Sequence, residues 1–310
     1  MRYRIRHITT YRYTDGVTLS QNLAHLAPRV SANQQVLSHM LDIEPTPAVI
    51  RRRFDYFGNP TDSFTVVTGH HQLVVASMSE VEVRTPPYCD PEFTPPWDSP
   101  MVQGGGDCQG AWEYRFDSAQ IPCAAEMRVY AASDFSPGRP VLAAALAYSN
   151  RINREFAYDP TATNVATPVL DALDLKRGVC QDFAQVLIGG LRTLGLCARY
   201  ISGYLETAPP PGRPRLVGAD ATHAWAQVWC GPQAGWIDLD PTNACIPGDR
   251  HILVAIGRDF ADVSPLKGMV LGGGQAEVIV GVDVERVAAP LSGNQQQEQP
   301  GQRQSQYGDS

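Results

Sequence analysis

The stretch Arg177-Gly-Val-Cys180-Gln-Asp-Phe-Ala-Gln-Val-Leu-Ile188 decides how the rest of the chain is read. A glycine interrupts the segment before it. From Cys180 onward, Phe183, Ala184, Leu187, Ile188, Leu191 and Leu194 recur at three- and four-residue steps. That is the spacing of an amphipathic helix, which Gly195 ends. Cys180 falls at or just before the helix N-terminus, where unpaired N–H groups and the positive end of the dipole favour a thiolate. A free cysteine is more often a small core hydrophobe, so position alone assigns it no chemistry. A base has to be found.

Thr222-His223-Ala-Trp225-Ala-Gln-Val-Trp229 offers one. Its period-two alternation marks a strand, with Ala224, Ala226 and Val228 on one face and His223, Trp225, Gln227 and Trp229 on the other. Gly231-Pro-Gln-Ala-Gly235 is a turn, and Trp236-Ile-Asp-Leu-Asp240 returns before Pro241. A hairpin centred near Pro232 or Gln233 sets His223 opposite residues 241–243. Asp240 is then the nearest carboxylate, with Asp238 roughly 7 Å further along the strand. Helix and hairpin together could assemble a Cys-His-Asp triad. The acid would orient the imidazole, the imidazole would hold the thiolate and later protonate a leaving group, and sulfur would attack an acyl carbon. Taken singly, His223 could be a hydrogen-bonded strand histidine and Asp240 a turn-initiating aspartate.

Gly178-Val-Cys180-Gln-Asp-Phe-Ala, His223-Ala-Trp and Trp236-Ile-Asp-Leu-Asp240-Pro-Thr-Asn resemble, in this order, the three signature blocks of the bacterial transglutaminase-like superfamily. Its members are often described as candidate cysteine proteases. Tyr3-Arg-Ile-Arg-His-Ile-Thr-Thr-Tyr-Arg-Tyr and Asp55-Tyr-Phe-Gly-Asn are similar to the β domain that precedes the core in one branch. The resemblance implies a papain-like core, a helix carrying the nucleophile packed on an antiparallel sheet carrying the base and the acid. By matching position these fall on Cys180, His223 and Asp240, with Asp238 the lesser alternative for the acid. It implies cysteine-dependent acyl transfer on amide bonds of peptides or proteins. Whether water or an amine resolves the thioester stays open, hydrolysis being favoured because water is always present. The alternatives are a non-catalytic peptide-binding module on the same fold and, more remotely, acyl transfer from a small thioester donor to an arylamine. Tyr158 and Gln181 are candidates for oxyanion stabilisation or the substrate groove, and Trp225 for a groove wall, although Tyr158 and Trp225 could simply pack. Asp182 is placed to cap the helix.

Outward from this centre, residues 1–85 read as short strands punctuated by Asp15-Gly16 and Gly58-Asn59-Pro60, an antiparallel β-sandwich-like domain. Residues 86–110, rich in Pro and Gly, read as a linker or crossover. Residues 111–291 form the α+β catalytic core, with helices near 124–132 and 141–152 and a late strand near 275–287. From Ser292 to the end, a Gln-rich segment without an apolar cluster reads as a disordered tail.

The 310 residues are 43% hydrophobic and 18% charged, enough to bury a large core. Twenty-five basic against 32 acidic residues give a formal charge of −7 without charge blocks, so no nucleic-acid or membrane partner is expected. Seven cysteines without a CxxC pair suggest neither a disulfide framework nor a zinc site. His70-His71 lacks further ligands at metal spacing, no acidic loop suits calcium, and Gly272-Gly-Gly lacks the lysine of a phosphate loop. No cofactor is expected. The N-terminus has no apolar stretch for a signal peptide, and the cytoplasm is the expected compartment.

Overall fold

The computed structural model describes residues 1–103, 110–207 and 222–287. The tail expected from 292, the proline-rich loop beyond Thr207 and Cys108 lie outside them. In chain order the strands β1 (Arg2–Ala24), β2 (Gln34–Glu44), β3 (Val49–Phe54), β4 (Pro60–Val66) and β5 (His70–Val83) come first. Helices α1 (Ala125–Ala132) and α2 (Val141–Glu155) precede a two-residue strand β6 (Ala157–Tyr158), helix α3 (Val169–Leu175) and a second short strand β7 (Arg177–Gly178). Then follow α4 (Cys180–Thr193), β8 (Ala198–Leu205), β9 (Thr222–Trp229), β10 (Trp236–Leu239), β11 (His251–Gly257), α5 (Phe260–Val263), β12 (Leu266–Gly272) and β13 (Ala276–Val287). Among the described residues no helix is long and apolar enough to cross a membrane.

β8 to β11 form an antiparallel sheet of order β10-β9-β8-β11, and α4 packs across β9 and β8. Phe183, Leu187, Ile188 and Leu191 on α4 are buried against this sheet and its neighbouring helices. Each such side chain contributes about 1.5–3 kcal/mol. The α+β core expected from the helix and hairpin is the fold formed.

The β-rich N-terminal region is organised around β1. Within its sheet of seven strands, the first half of β1 lies between β5 and β13, and its second half pairs with β4 and β12. Two expectations are corrected here. Asp15-Gly16 does not reverse the chain: β1 runs through it, and a register shift against β5 between Arg12 and Val17 absorbs the irregularity. The late strand near 275–287, expected in the catalytic core, is the partner of β1 instead. Its alternating valines explain the choice, since Val278, Val280, Val282 and Val284 lie opposite Tyr11, Thr9, His7 and Ile5 and extend one sheet face. Gly272 to Gly274, all at positive φ, make the reversal between β12 and β13 that L side chains resist.

One apolar cluster joins both regions. Tyr3, Ile5, Val81, Val83, Val282 and Val284 of the N-terminal sheet belong to the same buried core as α2, α4 and β8. The sheet is thereby fixed against the helix that carries Cys180.

Candidate active site

Cys180 opens α4. The N-cap is Val179, which has no side-chain oxygen, so the cap comes from Asp182: its Oδ2 accepts from the Val179 N–H at 2.8 Å and from the Thr163 hydroxyl at 2.6 Å. A negative charge in the first turn also suits the dipole. Gly178 follows from this arrangement, because a Cβ at 178 would overlap the Asp182 carboxylate. The glycine before the nucleophile thus lets the cap close, which leaves the first-turn N–H groups beside Cys180 facing the open end of the helix.

The hairpin supplies the other partners. Trp236 pairs with Trp229 and Leu239 with Ala226, so the register carried on sets 242 opposite His223. Asp240, fully buried, accepts from His223 Nε2 at 2.7 Å on Oδ2. The same oxygen accepts from Asn243 Nδ2 at 2.7 Å and from His251 Nε2 at 3.0 Å, while Oδ1 accepts from the Thr242 and Asn243 N–H groups at 2.9 and 3.1 Å. Five donors therefore satisfy one buried carboxylate. Asp238 points elsewhere: it accepts from Trp225 Nε1 at 2.6 Å and Gln227 Nε2 at 2.9 Å. Geometry separates the two acids that spacing left close together.

These contacts set the protonation states. Burial lowers the pKa of His223, but the hydrogen bonds to Asp240 and to the Cys180 thiol outweigh it and hold the ring up to about 9. Since Nε2 is engaged by Asp240, Nδ1 is the ring nitrogen left to the thiol. Burial alone would raise the pKa of Asp240, yet its two imidazoles and Asn243 pull it well below the usual carboxylate range. A thiol, an imidazole that favours its charged form and an acid held ionised to well below the usual carboxylate range stand together, a set that can generate a nucleophile and protonate a leaving group.

Cys180 and His223 border a cleft of about 560 Å³ between the core and the N-terminal sheet. Tyr158 lies on its rim, half-exposed, its ring edge-on to Phe183 and its backbone bridged to Gly178. Gln181 also lines the cleft, with its side-chain amide directed to the Val165 carbonyl at 3.5 Å. Trp225 does not belong there. The indole is buried and bonded to Asp238, stacked on His223 and edge-on to His251, on the side of the imidazole away from the cleft. It packs the back of the site and is no groove wall.

Two neighbours escaped the sequence reading. His251 begins β11 and reaches Asp240 only because β11 pairs with β8, a non-local contact without a local signature. Asn243 had a signal, the turn after Asp240-Pro241, in which an amide can fold back on the preceding acid. His223, Asp240 and His251 also offer two imidazole nitrogens and a carboxylate oxygen within 4.8 Å of one another, a donor set with the chemistry for a divalent ion. An ion there would displace the ring protons that Asp240 accepts, so it would compete with the hydrogen-bonded arrangement described.

Comparison with known proteins agrees with this architecture. Residues 3–82 match the bacterial transglutaminase-like N-terminal region and residues 130–241 the transglutaminase-like superfamily core. An uncharacterized protein of Mycobacterium tuberculosis is 41% identical over 290 residues, covering 91% of this chain and 92% of its own. A protein-glutamine gamma-glutamyltransferase of Pseudomonas aeruginosa is 36% identical over 129 residues, 38% of this chain and 19% of that protein. The crystal structure of a candidate cysteine protease from Cytophaga hutchinsonii superposes with a TM-score of 0.72 at 20% identity, covering 93% of this chain and 91% of that one. The chain belongs to the transglutaminase-like superfamily, with the bacterial transglutaminase-like N-terminal region ahead of its core.

Proposed function

We propose that this protein is a cysteine-dependent acyl transferase acting on amide bonds of peptides or proteins, with water as the ordinary acceptor. The observation that carries the reading is the convergence at His223, which hydrogen-bonds Asp240 at 2.7 Å and borders the same cleft as Cys180. The Cys180 thiol sits 4.0 Å from the carbonyl oxygen of the adjoining Thr222. Sulfur of Cys180 attacks the carbonyl carbon, forming the C–S bond. His223 gives its proton to the nitrogen as the C–N bond breaks, and the amine leaves. His223 then takes a proton from water, whose oxygen displaces sulfur and releases the acid. The backbone N–H at the start of α4 would receive the oxyanion, with the hydroxyl of Tyr158 on the cleft rim to supplement it. A cleft open beside the thiol supports catalysis over mere peptide capture.

The test is reaction with a peptide bearing a thiol-directed electrophile. Cys180 is expected to carry the adduct, and Cys180→Ala to abolish it with the fold intact. Unchanged labelling of that variant would sink the assignment. Ammonia release, compared with incorporation of a fluorescent amine into a glutamine-bearing protein, separates hydrolysis from transamidation.

A further inference from the structure

The wall facing Cys180 across the cleft comes from the N-terminal sheet. β1 and β13 pair Ile5 with Val284, His7 with Val282, Thr9 with Val280 and Tyr11 with Val278, all on one face by the two-residue repeat. At the Ile5–Val284 end this face is buried in the shared core. At the other end it leaves that contact and borders the cleft, where Val278 and Val280 are each 51% exposed. One continuous sheet face, valines along β13 beside Ile5, His7, Thr9 and Tyr11 along β1, is therefore half covered by the protein and half uncovered beside the nucleophile.

Apart from His223 beside the thiol, the described lining of the cleft carries no ionised side chain. Among the described residues no Asp, Glu, Lys or Arg lines it, and Phe260, Pro265 and Leu266 extend its apolar side. His7 at the deep end is buried, bonded to the Tyr204 hydroxyl at 2.9 Å and to Thr9 at 3.1 Å. Burial pushes its pKa down to about 4, so it is neutral around pH 7. A charged segment lying along the β1–β13 face, away from His223, would lose its hydration without a partner there among the described residues, whereas an apolar one completes the burial of an exposed face.

From this we infer that the β1–β13 face is the specificity wall of the acyl-donor site, and that it selects substrates whose residues beside the reacting amide are uncharged and apolar. The inference rests on the proposed cysteine chemistry. It gives the N-terminal sheet a direct part in substrate choice, with Val278, Val280 and Tyr11 as its contact residues.

The experiment uses the full chain and two peptides with the same electrophile, one flanked by Val and Leu, the other by Asp and Glu. Iodoacetamide, too small to need the wall, measures thiol reactivity. The apolar peptide is expected to label Cys180 about tenfold faster or more, and Val280→Lys, which gives the acidic peptide a counter-charge, to erase that advantage. Val280→Ala, the milder change, is expected to reduce it several-fold, and it answers the question should the lysine variant not fold. Equal rates for the two peptides, or an advantage that survives both substitutions, would overturn the inference. Failure of iodoacetamide and both peptides to modify Cys180 would instead refute the underlying chemistry.

Discussion

His251 and His223 share a single oxygen: Asp240 Oδ2 lies 3.0 Å from one Nε2 and 2.7 Å from the other. The acid is therefore held by two imidazoles from different strands, and only the one on β9 reaches the thiol. This asymmetry separates the roles of the two histidines. His223 belongs to the reacting set, and His251 acts through Asp240.

Removing the acid should be far more costly than removing the second histidine. Asp240→Ala leaves two imidazole N–H groups, two backbone N–H groups and an amide without an acceptor in a buried site. A stability loss of about 3–5 kcal/mol is expected in urea unfolding. Peptide-electrophile labelling should fall at least about a hundredfold, because the imidazole loses the group that orients it.

His251→Ala removes one donor of five from Asp240. The expected loss of stability is about 1–3 kcal/mol, with His223 still bonded to the acid. Cys180 labelling should fall only several-fold. A loss as severe as that of Asp240→Ala would place His251 among the reacting groups.

The pH dependence follows from the raised pKa of His223. Its ordinary value is 6.5 and its folded value about 9, so the charged ring persists to unusually high pH. The stability it contributes is complete below about 6.5 and is lost as pH rises through 9. Urea midpoints should fall across that window. Turnover of amide substrates should decline along the same alkaline limb, since the proton for the leaving nitrogen is gone. In Asp240→Ala that limb should move to lower pH. Asp240, with its lowered pKa, contributes in the opposite sense, and its share is lost only on acidification below its ordinary value of 3.8.

Gly178→Ala tests how the nucleophile is presented. The added methyl meets the Asp182 carboxylate and forces the cap open. The expected cost is about 0.5–2 kcal/mol for the cap, with slower labelling of Cys180. Asp182→Ala should reproduce much of the effect without the steric clash.

Much of the site is legible in the amino-acid order because its parts are local. The three- and four-residue spacing from Phe183 to Leu194 defines α4 and hence the position of Cys180. The turn at Gly231 to Gly235 determines the hairpin register that brings Asp240 within reach of His223. What escapes is whatever depends on pairing across long stretches of chain. His251 meets Asp240 through the neighbour of a neighbour strand. The cleft wall joins Thr9 to Val280, and nothing near either residue announces the other. Trp225 shows a different failure: alternation puts it on the same strand face as His223, but the strand itself does not say which side of that imidazole opens to substrate.

The pairing of β1 with β13 also orders events in time. Residues Arg2 to Tyr13 emerge early in synthesis, and their partners, Ala276 to Val287, only after the core between them has been made. One edge of that strand must wait unpaired while the helix bearing Cys180 forms. Closing so long a loop is entropically late and slow. The β13 half of the far cleft wall thus joins β1 only after the segment bearing Cys180 has been made.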